Sequence, residues 1–153
     1  MIILTCSDPQ ESSKENMHAQ LVWALEESKA HRVELFNGFH PGTNNLITKA
    51  SVAAEAMWRL IQQHNAEGLV MDVRGFEGTE DTKYFWLNAY ECLLKIPRFK
   101  EHKRRLNVVF WSRYLDDEVY RRLWDLDVPR GNILDRNNST PRHVLRRLLL
   151  EDR

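Results

Sequence analysis

Three apolar runs, Met1–Thr5, Leu69–Val73 and Asn107–Trp111, each end in a polar cluster and each precede an amphipathic segment of helical length. That rhythm predicts strands alternating with helices in a doubly wound α/β domain, with function in the loops that follow the strands. The segment Ser12–Ala30 places Met17, Leu21, Ala24 and Leu25 on one helical stripe, so the first unit reads as strand then helix. Arg32–Phe36 alternates polar and apolar, whereas Leu69–Met71 and Val108–Phe110 do not. This separates a one-sided edge strand from central parallel strands covered on both faces.

Thr48–His64 carries Ala53, Met57, Leu60 and Ile61 on one face, with Gly68 expected to end the helix before the third strand. A further helix is predicted from Asp81 to Lys95, stopped near Pro97 because proline lacks a donor and pushes its predecessor out of helical geometry. Asp116–Leu126 turns Val119, Leu123 and Leu126 inward, and Pro129–Gly131 leads into a short strand, Asn132–Leu134. The last helix opens with Ser139 or Thr140 as cap and Pro141 in its first turn, and buries Val144, Leu145, Leu148 and Leu149. Five strands alternating with five helices follow. With the first, third and fourth strands central, the order is 2-1-3-4-5 in a parallel sheet with helices on both faces. Its switch point lies between the loop Cys6–Pro9 and the loop Asp72–Phe76.

The chain of 153 residues suits one domain, 1–153, and its 22 basic and 22 acidic residues cancel. No whole-molecule field draws it toward nucleic acid or a membrane, and any electrostatic partner must be read by a local patch. Cys6 and Cys92 form no CxxC pair, and the chain shows neither an export signal nor a long apolar span, so a cytoplasmic protein with reduced thiols is expected. Sequence patterns for Gly-rich phosphate loops, HExxH or paired Cys/His zinc sites and GxSxG elbows are missing, and the six histidines are scattered. No cofactor, metal or catalytic residue is expected.

From Gly68 onward the chain resembles the receiver domains of bacterial response regulators, and the likeness extends over nearly its whole length. Asp72 falls at the position of the phosphoacceptor aspartate, Ser112 at that of the switch serine or threonine, and Asp116–Val119 reads as the helix start that follows. Asp8–Pro9 ends the first strand in a receiver-like way. Where the resemblance implies an acidic pair for magnesium, Cys6 and Ser7 stand, with only Asp8 nearby; a thiol and a hydroxyl serve a hard cation poorly. Where it implies a lysine at the end of the fifth strand, Asp135 stands. Phe76 replaces the usual proline, and Asn37–Asn45, including His40, forms a longer loop. The pattern implies a pseudo-receiver: a non-enzymatic signalling or protein-interaction domain that works without phosphorylation.

Candidate ligand-binding or phosphoacceptor residues are therefore Asp72, Asp8, Arg74, Ser112, Arg113 and Asp135. Arg74 and Arg113 offer guanidinium groups to an anion or ion pairs to Asp72, Asp8 or Asp135. The receiver resemblance also implies a homodimer through the last two helices, where the basic pairs Arg121–Arg122 and Arg146–Arg147, with Arg142, would meet acidic Asp116, Asp117, Asp125 and Asp127. Lys95–Arg105 gathers six Lys/Arg around Glu101 and Phe99, a pattern that meets phosphates or forms a solvated loop. Five tryptophans are expected mostly in the core or at its margin, with Trp111 beside the site. The rival reading is a flavodoxin-like protein in which Ser12, Ser13, Trp111 and Tyr114 cradle a nucleotide or flavin. Anti-sigma-factor antagonists also place an aspartate after a central strand, but they open with paired strands where this chain has an early helix.

Overall fold

The computed structural model describes residues 1–6, 17–24 and 31–150. Five parallel strands, β1 (Ile2–Cys6), β2 (Arg32–Phe36), β3 (Gly68–Met71), β4 (Asn107–Ser112) and β5 (Ile133–Asp135), form one sheet in the order β2-β1-β3-β4-β5. The predicted order is thus the observed one. Strand side chains alternate between two cores. Leu4, Cys6, Leu69, Met71, Val108 and Phe110 join one cluster with buried residues of α2 (Ala50–His64), α3 (Phe85–Leu94) and α5 (Asp117–Asp125). Ile3, Val70, Val109, Trp111 and Leu134 join the other, with α1 (Met17–Ala24) and α6 (Pro141–Leu150). The unbroken apolar runs of the central strands are explained by this double cover.

Several boundaries differ from the pattern reading. Of the predicted helix Ser12–Ala30, only Met17–Ala24 lies within the described residues. Helix α2 ends at His64 as expected, but the residue that stops it is not Gly68 but Asn65, whose left-handed φ of 52° lets the Ala66 N–H turn back to the Ile61 carbonyl. Asn tolerates that conformation through its short polar side chain. Gly68 instead opens β3, where a Cβ would lie 3.2 Å from Ile3 Cγ1. The helix expected from Asp81 is a 3-10 turn, Thr82–Tyr84, before α3 proper.

Pro97 both follows α3 and starts a sixth helix, α4 (Pro97–His102), continued by a 3-10 turn at Lys103–Arg105. Proline costs nothing in a first turn, where its N–H would have no helical partner. The expected loop is folded because Phe99 is fully buried against Trp58, 5.9 Å between ring centroids, and His102 bonds the Ala66 carbonyl at 3.1 Å. In α6, Thr140 Oγ1 accepts from the His143 N–H, while Leu149, expected inside, is 42% exposed. Two tryptophans also depart from the core expectation, Trp23 at 76% and Trp124 at 70% exposed. The loop after β2 closes on itself through a Phe39–Leu46 bridge, and His40 lines a shallow cavity beside it. No helix among the described residues is long and apolar enough to cross a membrane.

Candidate functional site

Ladder register brings the strand ends together. The Asp72 N–H bonds the Cys6 carbonyl at 3.0 Å, and the Arg136 N–H bonds the Ser112 carbonyl at 3.0 Å, so each residue one step past its strand still belongs to the sheet. Asp72 is 4% exposed. Its Oδ1 accepts from the Val73 N–H at 2.7 Å and from the Ser112 hydroxyl at 2.6 Å. The Ser112 oxygen in turn accepts the Tyr114 N–H at 3.0 Å. On the other side, Arg136 Nη1 lies 4.0 Å from Asp72 Oδ2. The Arg136 guanidinium sits over the Trp111 ring, 5.0 Å from its centroid, and its side chain is 2% exposed. Stacking on an indole suits a weakly hydrated, planar cation and lets it be buried beside a carboxylate.

Asp72 and Ser112 are thus joined, and Arg136, which the sequence reading passed over, completes the group. Asp135 occupies the final position of β5, but its carboxylate caps its own turn, accepting from the Asn137 N–H at 2.9 Å and Asn138 Nδ2 at 3.2 Å. The cation facing Asp72 comes one residue later. The only hint in the sequence was an Arg directly after a short strand. Arg74 does not reach Asp72: it is exposed and lies over Tyr114, 5.0 Å from the ring centroid. Arg113 is also exposed. Both line an open cleft of about 490 Å³ with Thr82, Lys83, Tyr114, Leu115 and Asp116. Asp8, like Ser7, Ser12 and Ser13, lies outside the described residues.

Neighbouring loops hold this arrangement in place. Gly75 has no room for a side chain, since a Cβ would lie 2.4 Å from Phe85 Cβ. Asp116 caps α5 by accepting the Val119 N–H at 2.9 Å and also takes the Tyr84 hydroxyl at 2.8 Å. Desolvation pushes the Asp116 pKa up, but these two donors and Lys83 outweigh it and hold the carboxyl below its ordinary value.

A magnesium ion, which the receiver resemblance implies, does not fit the described donors. Cys6 is fully buried, and burial pushes its thiol pKa well up, keeping it protonated. Asp72 already accepts two hydrogen bonds and faces a guanidinium. A hard cation needs several free oxygens, and this pair supplies few. Trp111 is equally committed: its indole N–H donates to Ser139 Oγ at 2.9 Å and its face carries Arg136, so it does not line a nucleotide or flavin cradle.

The receiver domain of RcsB from Salmonella enterica serovar Typhimurium, solved with the phosphomimetic BeF3−, superposes with a TM-score of 0.57 at 14% identity, covering 99% of this chain and 88% of that one. RcsB from the same source, bound to promoter rprA, gives 0.55 at 14% identity over 100% and 99% of the two chains. A LuxR-family DNA-binding response regulator from Staphylococcus aureus gives 0.54 at 12% identity over 99% and 98%. The fold is receiver-like. No protein-family model and no curated protein matches the chain. At such identities the likeness concerns the backbone, so the roles of residues in this receiver-like sheet rest on the geometry above.

Among the residues expected at a dimer surface, several charges of the receiver-like fold are engaged within the chain. Arg121 pairs with Glu118 and Asp125 on its own helix, Arg122 reaches Glu91 and Asn88 on α3, and Arg147 donates to Asn132 Oδ1.

Proposed function

We propose that this chain is a signalling domain that acts through contacts with a protein partner and does so without phosphoryl transfer at Asp72. The observation that carries the reading is the Asp72 carboxylate itself. An aspartate that attacks a phosphoryl donor needs an exposed oxygen and a divalent cation to offset the incoming charge. Here the carboxylate is 4% exposed, one oxygen accepts two short hydrogen bonds, and a guanidinium from its own chain faces the other. That arrangement supports a carboxylate tied into the fold, with no oxygen offered to a phosphoryl donor. The receiver-like fold of the solved neighbours supports the signalling role, and Trp124, exposed on α5, is the aromatic anchor that a partner or a second copy would use.

The test is tryptophan fluorescence during titration with magnesium and then BeF3−, comparing the native protein with Asp72→Asn, because Trp111 packs against Arg136 and reports on the site. No saturable change, with circular dichroism showing the fold intact, is expected. An Asp72-dependent saturable change, or a phosphoryl adduct on Asp72 by mass spectrometry after incubation with acetyl phosphate, would overturn the proposal.

A further inference from the structure

The segment Lys95–Arg105 sits at the opposite end of the sheet from Asp72, where His102 binds the carbonyl just before β3 and Leu106 leads into β4. Its large apolar side chains turn inward: Phe99 is buried and Ile96 packs on the core, as does Leu106 directly after the segment. Its cations turn outward, with Lys95, Arg98, Lys100, Arg104 and Arg105 exposed and Lys103 half-buried. Elsewhere among the described residues, Arg32, Lys83, Arg121, Arg122 and Arg136 meet carboxylates, while exposed cations such as Lys49, Arg59, Arg142 and Arg146 do not but lie singly or in twos along their elements. Among the described residues, none of the six cations of this segment meets a carboxylate. Glu101 is the one acidic residue within it.

We infer that this anchored turn is a docking surface for the phosphate backbone of a nucleic acid, read without regard to base sequence. A protein partner normally buries an apolar centre inside a polar rim. The exposed large hydrophobics of the described residues are Val22, Trp23, Leu35, Tyr114, Trp124 and Leu149, and none belongs to this segment. Phe99, the one aromatic, is spent on Trp58 and is not free to stack on a base. What remains is a cluster of cations on a fixed backbone, with three arginines whose forked donors match phosphate oxygens. With no net charge on the whole chain, attraction must come from a local concentration of cations, and this segment carries six within eleven residues.

Fluorescence anisotropy of a labelled random-sequence DNA duplex, titrated with the full chain at several salt concentrations, tests the inference. Binding should weaken with salt with a log–log slope of about −4 to −5, as for about five neutralised phosphates. Arg104→Glu/Arg105→Glu should weaken it at least about tenfold at about 0.1 M salt. Lys49→Glu/Arg59→Glu, which makes the same charge change at two exposed positions outside the segment, should stay within about twofold. Circular dichroism confirms that each variant is folded. No binding by the native protein at low salt, equal weakening by both double variants, or tighter binding to phosphatidylserine vesicles than to the duplex at matched charge would each overturn the inference.

Discussion

At the carboxyl ends of the strands Arg136 lies 2% exposed over Trp111 and 4.0 Å from Asp72, whereas at the amino ends Lys95, Arg98, Lys100, Arg104 and Arg105 reach into solvent. One region takes its cation in and balances it; the other folds its aromatic in and leaves the cations out. The difference teaches what each charge does for the chain. Inside, it is part of the fold, because a carboxylate stripped of its counter-charge in a buried position is costly. Outside, it contributes little to stability and is available to something else.

The largest effect that probes this contrast is at the amino end. Phe99→Ala should cost about 3–5 kcal/mol in urea unfolding, because it opens a cavity under Trp58 and releases the anchor of the cationic turn. A loss below about 1 kcal/mol would mean that the turn holds itself without the ring. Next, Arg136→Met should cost about 3 kcal/mol, with part of it recovered in Asp72→Asn/Arg136→Met, since the second change removes the charge left behind. Purely additive losses would show that the two side chains do not compensate each other.

Asp116→Ala should cost about 1 kcal/mol at neutral pH through loss of the α5 cap. Because the folded-state pKa of Asp116 is lowered, the cap contributes fully above the ordinary carboxylate value and fades as pH falls through the depressed one. The stability gap between native protein and variant should therefore narrow on acidification; a constant gap would point to packing alone. Smallest of all, Arg104→Glu/Arg105→Glu should shift stability by no more than about 0.5 kcal/mol by thermal melting, although it reverses two charges. A larger loss would place these arginines in the fold and weaken the contrast.

Much of this was legible in the chain. Strand order followed from which apolar runs alternate and which do not, since a strand covered on both faces has no polar side to show. Asp72 and Ser112 were legible through the receiver resemblance, which implies an aspartate and a hydroxyl at the ends of neighbouring strands, and the hydrogen bond between them is what the structure adds. Arg136 was not legible, because the resemblance implies the facing cation at Asp135; the ladder continues one residue further, and there the Arg136 side chain lies over Trp111. The α4 turn was missed for a related reason. Pro97 carries two opposite signals, a stop for the helix before it and a start for the one after, and only the burial of Phe99 decides between a loop and a helix. Leu149 and Trp124 look like core residues by type, yet periodicity does not fix how far a helix rotates on its sheet.

Cys6, the last residue of β1, lies between Phe36 and Met71 in the sheet and is fully buried with its thiol held protonated. A thiol in that position is a clock. It reacts with a reagent such as iodoacetamide only in the moments when the central strands part, while the more accessible Cys92 sets the rate of an ordinary thiol in the same tube. The ratio of the two labelling rates measures how often the heart of the sheet opens under native conditions, with no denaturant and no engineered probe.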